Sequence, residues 1–216
     1  MKYVIERCVL LLGFLPALAA SSPPIQDLQL ESSQSHVRIY VHRAGLFKTF
    51  GHDHLVSSRQ LTGWLRFTPG ALSQATFNLT LPASSLVVDD PDIRRAVGGK
   101  WNVAVKPGVR TATRSNMLGK RLLDVGQYPD IHLRGQWQEG NFPAGKVRAT
   151  VSVRGQDYAL TIPVSVSSDG SRLRVFTRFT VTHIQLGLTP FTALGGALRV
   201  ADRLEIEATL VFSRRH

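Results

Sequence analysis

The sequence predicts an all-β, antiparallel protein of about eight strands with a short helical insert. Two observations carry this. From residue 35 onward, apolar residues recur at every second position, the period of a half-buried strand. Compact turn sequences separate these runs: Thr68-Pro-Gly70, Arg154-Gly-Gln-Asp157 and Ser168-Asp-Gly170. Strands joined so closely must be antiparallel. One apolar and one polar face per strand fits a sandwich or a closed barrel.

In chain order, Lys2, Glu6 and Arg7 precede an apolar run from Cys8 to Ala20 that contains the small-residue sequence Ala17-Leu18-Ala19. This predicts a signal peptide over residues 1–19 and export from the cytoplasm. The run is about 13 residues, too short to span a bilayer comfortably. Its Cys8 is the sole cysteine, so an intrachain disulfide and Cys-ligated zinc or iron–sulfur sites are excluded. Residues 20–34 read as a leader, Ser21-Ser-Pro-Pro24, and a weak first strand near Leu28–Leu30. Residues 35–216 read as one β domain.

Within that domain, Val37, Ile39 and Val41 alternate with Arg38, Tyr40 and His42. Leu61, Gly63, Leu65 and Phe67 form the next apolar stripe, and Ala75, Phe77, Leu79 and Leu81 the one after it. Ile131 and Leu133 mark a strand, then Val147, Ala149, Val151 and Val153. Stripes at Tyr158–Val166, Leu173–Val181 and Leu204–Phe212 complete the chain. Small residues on these stripes, Gly63, Ala75, Ala149 and Ala208, leave space opposite bulky ones and predict an open apolar interior. The middle departs from this period. Asp90 as N-cap, Pro91 as the first helical residue and Gly98-Gly99 as a stop predict a short helix. A second is predicted over Thr113–Leu118, stopped by Gly119. Together they make a lid over one end of the strands.

Lys plus Arg number 26 against 15 Asp plus Glu, a formal net charge of +11. Arg148, Arg154, Arg172, Arg174 and Arg178 fall on the polar faces of strands, which makes a basic exterior. An exported protein with such an exterior is drawn to anionic membrane surfaces rather than to nucleic acid. The composition sets no oligomeric state.

Gly51-His-Asp-His54 is the sharpest local motif. In an extended chain His52 and His54 share a face, with Asp53 opposite. They fit a polar rim at a barrel mouth, and they also fit part of a metal site if His42, His132 or His183 supplies a third ligand. Two histidines alone are a weak metal signal, and the rim reading is preferred. Phe47 and Phe50 just before them are expected to cover an alkyl chain, with the imidazoles on a polar head group. Removal of both histidines is then expected to leave stability unchanged. No G-x-S-x-G, Walker A or dinucleotide fingerprint is present. Asp89, Asp90 and Asp92 read as a helix N-terminus rather than as acid–base catalysts. No catalytic residue, metal ligand set or cofactor is assigned.

The order of these segments resembles the YceI-like family. Ser35-His-Val-Arg-Ile-Tyr-Val-His-Arg-Ala-Gly-Leu-Phe-Lys-Thr-Phe-Gly51 is similar to the family's opening strand and His/Gly turn. Leu61-Thr-Gly-Trp-Leu-Arg-Phe67 resembles the strand after it. Asn116-Met-Leu and Leu122-Leu-Asp-Val-Gly-Gln-Tyr-Pro-Asp-Ile131 resemble the helix that leads into a strand. Val151–Val164 resembles the later hairpin, and His183-Ile-Gln-Leu-Gly-Leu188 a run near the C-terminus. The turn differs in reading Gly-His-Asp-His, the hairpin in reading Arg154-Gly155, and residues 98–113 diverge. The resemblance implies a lipocalin-like barrel, periplasmic location, a long apolar pocket and a binding protein for an isoprenoid or quinone-like amphiphile. Its implied wall is Val37, Ile39, Val41, Leu65, Phe67, Phe77, Leu79, Val151 and Phe179, with Met117 and Leu118 in the lid. His42, Phe47, Phe50, His52 and His54 are expected at the mouth. The alternative is a metal-dependent hydrolase built on the same histidines.

Overall fold

The computed structural model describes residues 24–214. The expected signal peptide, residues 1–19, lies outside the described residues. The elements are β1 (Gln26–Leu30), β2 (His36–Ala44), β3 (His54–Ser58), β4 (Thr62–Thr68), β5 (Ala71–Pro82), β6 (Val87–Val88), α1 (Pro91–Val97), α2 (Pro107–Leu118), β7 (Asp130–Asn141), β8 (Ala144–Val153), β9 (Gln156–Ser168), β10 (Arg172–Thr182), β11 (Thr192–Ala193) and β12 (Leu198–Arg214).

Eight strands close a ring in the order β1-β4-β5-β7-β8-β9-β10-β12, with β12 pairing back onto β1. All of these pairs are antiparallel, and the closing register sets Leu28 opposite Arg214 and Leu30 opposite Phe212. Closure removes the unpaired edges that an open sheet of this length would expose. Of the two architectures open at the sequence level, the barrel is the one formed. β12 is long enough to hold a second partner beside β1. Val37 to Val41 of β2 run opposite Ala208 to Leu204, and β3 and β6 extend the sheet from there.

Three strands, β3, β6 and the two-residue β11, are invisible to periodicity. β3 reads His-Leu-Val-Ser-Ser, and Leu55 to Ser58 are all buried. Its inner face looks into the barrel, while Leu55 packs outside with Tyr40 and Trp101, and with Ile93 and Val97 of α1. A strand covered on both sides loses the alternation that marks a half-buried one. β6 spans only two residues. The first helix forms as expected, with Asp90 Oδ1 accepting from the amides of Asp92 at 2.9 Å and Ile93 at 3.1 Å. The second begins six residues earlier than the expected Thr113, at Pro107. Pro107 is itself a first-turn signal.

Gly63 shows how tightly the wall is drawn. Its φ is +146°, and a Cβ there would lie 2.1 Å from the Asn78 carbonyl oxygen and 2.8 Å from Leu79 Cα. Backbone atoms cannot swing aside as a side-chain tip can. Gly63→Ala is therefore expected to lower unfolding free energy by about 1–3 kcal/mol, the usual range for overpacking; a chemical-denaturation midpoint equal to wild type would contradict this.

Candidate functional site

The barrel encloses a cavity of about 780 Å³ that runs along its length. At the end formed by the β4–β5, β7–β8 and β9–β10 turns, Phe67, Trp137, Val147, Val164 and Phe212 line it. Val37, Ile39, Val41, Leu65, Phe77, Leu79, Val151 and Phe179 line it further along, and Met117 of α2 contributes from the lid. The lining residues that are exposed to solvent are Arg43, His52, Asn116, Arg121, Thr189, Phe191, Thr192 and Arg199. All of them lie at the helix-bearing end. Among the described residues the cavity therefore opens at this one end, and its polarity is concentrated there. This is the open interior that the small residues predict, with Ala75 and Ala208 on the wall, whereas Ala149 is packed in the core and Gly63 does not line the cavity.

Four expected residues fall outside that wall. His42 follows the outward parity of Arg38 and Tyr40. Its Nε2 lies 3.2 Å from Glu205 Oε1, and its ring is 5.6 Å from that of Trp101, on the outer surface. Phe47 and Phe50 form an edge-to-face pair at 6.1 Å but project into solvent, with Phe50 78% exposed. A tight turn carries their loop outward, so nearness in sequence to His52 does not place them inside. Leu118 packs beneath the lid with the cluster of Val56, Leu86, Leu123 and Val153, one helical position away from the cavity-facing Met117.

His52 and His54 do share a face, as the spacing predicts, with ring centroids 6.3 Å apart. Their environments differ. His52 is exposed at the mouth. His54 Nδ1 lies 2.6 Å from Asp89 Oδ2, and Asp89 is 1% exposed. The same carboxylate accepts from the Leu55 amide at 2.9 Å and from the Arg94 guanidinium. Arg94 is itself buried and also donates to the carbonyls of Val103 at 3.0 Å and Asp53 at 3.2 Å. Asp89 is thus a buried bridge from β3 to α1, held at a φ of +53°, rather than a helix-terminal acid. Asp90 alone caps the helix. Burial pushes the Asp89 carboxyl up, but the hydrogen bonds from His54 and the Leu55 amide and the charges of His54 and Arg94 outweigh it, so the group titrates below its ordinary value.

The two histidines should therefore separate on mutation, and the expectation that both are dispensable to stability is corrected. His54→Ala leaves a buried carboxylate short of one partner and should cost about 1–3 kcal/mol. His52→Ala should leave the thermal midpoint unchanged. Parallel melts of the two variants check this, and equal midpoints would contradict it.

Among the described residues, no group of three or more His, Cys, Asp or Glu is placed to hold a metal. The candidate third ligands are engaged elsewhere. His42 is outside the wall, His132 Nδ1 meets Thr80 Oγ1 at 3.1 Å, and His183 Nδ1 meets the Asp202 carbonyl at 2.9 Å. Three arginines that the sequence reading missed line the cavity instead: Arg43, Arg121 and Arg199. Arg43 was within reach, because it continues the inward parity of Val37, Ile39 and Val41. Arg199 precedes a register shift between Val200 and Leu204, where parity fails, and Arg121 follows a helix stop with no period at all. Among the described residues, no carboxylate lines the cavity.

Fold and site together define a lipocalin-like barrel with an apolar cavity that opens at its helix-bearing end. The chain belongs to the YceI-like family: the sequence profile of the YceI-like domain matches residues 28–212. Solved structures agree on the fold. BcnA of Burkholderia cenocepacia superposes with a TM-score of 0.62 at 15% identity, covering 84% of this chain and 98% of that one. A polyisoprenoid-binding domain from Saccharophagus degradans, implicated in plant cell wall breakdown, gives 0.58 at 10% identity, covering 87% and 98%. The YceI protein of Campylobacter jejuni gives 0.53 at 10%, covering 74% and 85%. No curated protein sequence matches.

Proposed function

We propose that this protein is an exported, periplasmic binding protein that carries an isoprenoid or quinone-like amphiphile, with the chain along the barrel and the head group at the mouth. The observation that carries this reading is the distribution of polarity in the cavity: apolar along its length, and polar where it meets solvent. Each methylene moved from water into such a wall gains about 0.8 kcal/mol, so a long chain needs few polar contacts to be held. The head group then meets Arg43, His52, Arg121 and Arg199, which favour phosphate, carboxylate or carbonyl oxygens over cationic groups. The Saccharophagus domain, described as polyisoprenoid-binding, supports the ligand class.

Delipidated protein titrated with a fluorescent polyprenyl probe tests the reading. Saturable binding at one probe per chain, competed by unlabelled long-chain isoprenoids, is the expected result. Binding that is absent, or that does not saturate, would overturn it.

A further inference from the structure

Two loops frame the mouth: residues 45–53 between β2 and β3, and residues 183–197 between β10 and β12. They are tied together by the Phe47 amide, which donates to the Ala197 carbonyl at 2.8 Å. Between them they expose Leu46, Phe47, Phe50, Ile184, Phe191 and Leu194. Leu46 is 89% exposed, Phe50 78%, Ile184 70% and Leu194 69%. The other exposed large apolar side chains among the described residues, Ile25, Val87, Val103, Phe142 and Phe176, belong to neither loop. Apolar side chains gathered at the tips of two loops mark an interaction surface.

Charge narrows the partner. Arg43, Arg121 and Arg199 are solvent-exposed where they line the cavity mouth, and Lys100 faces Asp53 of the first loop. The nearby acids are engaged: Asp53 faces Lys100 at 3.6 Å, Arg43 at 3.7 Å and His42 at 3.8 Å, and Asp202 accepts from the Ile184 amide at 3.1 Å. Arg121 and Arg199 form no ion pair among the described residues. Aliphatic and aromatic tips with guanidinium groups just behind them match the depth profile of a bilayer interface: acyl chains outermost to the protein, phosphates at the level of the arginines.

We propose that the protein docks by this end onto an anionic lipid bilayer, with Leu46, Phe50, Ile184 and Leu194 entering the interface, so that the cavity mouth opens onto the membrane. The proposal rests on the carrier reading for its purpose, and it supplies the route by which an insoluble amphiphile enters or leaves without crossing water. The docking residues named are not cavity-lining, so docking and ligand binding can be measured apart.

The experiment uses mature protein purified from the periplasmic fraction of an expressing bacterium. Wild type, Phe50→Ser/Leu194→Ser and the wall control Phe176→Ser are sedimented with phosphatidylcholine vesicles, and with vesicles that contain phosphatidylglycerol as well. Wild type and Phe176→Ser should bind the anionic vesicles at least tenfold better than the neutral ones. The double variant should lose at least tenfold while keeping its affinity for the polyprenyl probe in solution. Absence of wild-type binding, equal binding by the double variant, or an equal loss in Phe176→Ser would overturn the proposal. Gel filtration showing a dimer that the double variant abolishes would also overturn it, by assigning the face to a second copy of the chain. Vesicle binding by a protein that takes up no probe would refute the carrier reading and leave docking intact.

Discussion

Leu65→Trp should reduce polyprenyl-probe binding at least tenfold without unfolding the protein. Leu65 sits on β4, opposite Phe77 across the β4–β5 pair, and both line the cavity. An indole projecting from that position occupies space that the ligand chain would otherwise fill. The protein bears the change because the site borders empty volume; even full overpacking costs about 1–3 kcal/mol, against the 5–15 kcal/mol of an ordinary domain. Phe77→Trp should act in the same direction. Gln136→Trp, on the exposed outer face of β7, controls for the mere addition of an aromatic ring and should bind as wild type does. Retained affinity in Leu65→Trp would place the ligand outside the barrel.

The largest effect on stability is expected at Asp89. Asp89→Asn keeps the shape and tolerates the positive φ, but it leaves the buried Arg94 without its counter-charge. Breaking a buried pair from one side costs about 3–5 kcal/mol. The pH dependence follows from the direction of the Asp89 shift. A carboxyl held below its unfolded value contributes stability that is fully present above that value, about 3.9 for aspartate, and is lost as pH falls through the lower folded value. Wild type should therefore lose stability below about pH 4, and Asp89→Asn should be weaker at neutral pH with a shallower acid slope. Denaturation midpoints from pH 3 to 7 read both quantities. Parallel curves for the two proteins would show that Asp89 carries no such linkage.

The barrel wall was legible where a long strand has one face on the cavity and one in water, because period two survives there. Tyr158 to Val166 and Leu173 to Val181 are of this kind, whereas β2 and β12 bury Tyr40 and Val211 on their outer faces. Met117 in the helical lid follows no such period and was reached only through the family resemblance of Asn116-Met-Leu. The mouth was harder. Its loops follow no period, so Phe47 and Phe50 were placed inward by their proximity to the histidines alone, and the backbone turns them out. His42 could have been placed correctly, since its own parity with Arg38 and Tyr40 sets it outside. The Asp89–His54–Arg94 bridge joins residues 35 and 5 positions apart through a short two-residue strand. No local pattern distinguishes Asp89 from its neighbour Asp90, which does cap the helix. The basic exterior followed from strand parity: Arg148, Arg172, Arg174 and Arg178 are exposed on the outer wall.

The central claim, a long-chain amphiphile in the barrel, is tested most directly by mass spectrometry of an organic extract of protein purified without detergent. The expected result is a single class of isoprenoid-chain lipid, present in an amount close to one per chain in wild type and strongly depleted in Leu65→Trp. An extract with no lipid above background, or the same lipid in equal amount from Leu65→Trp, would contradict it.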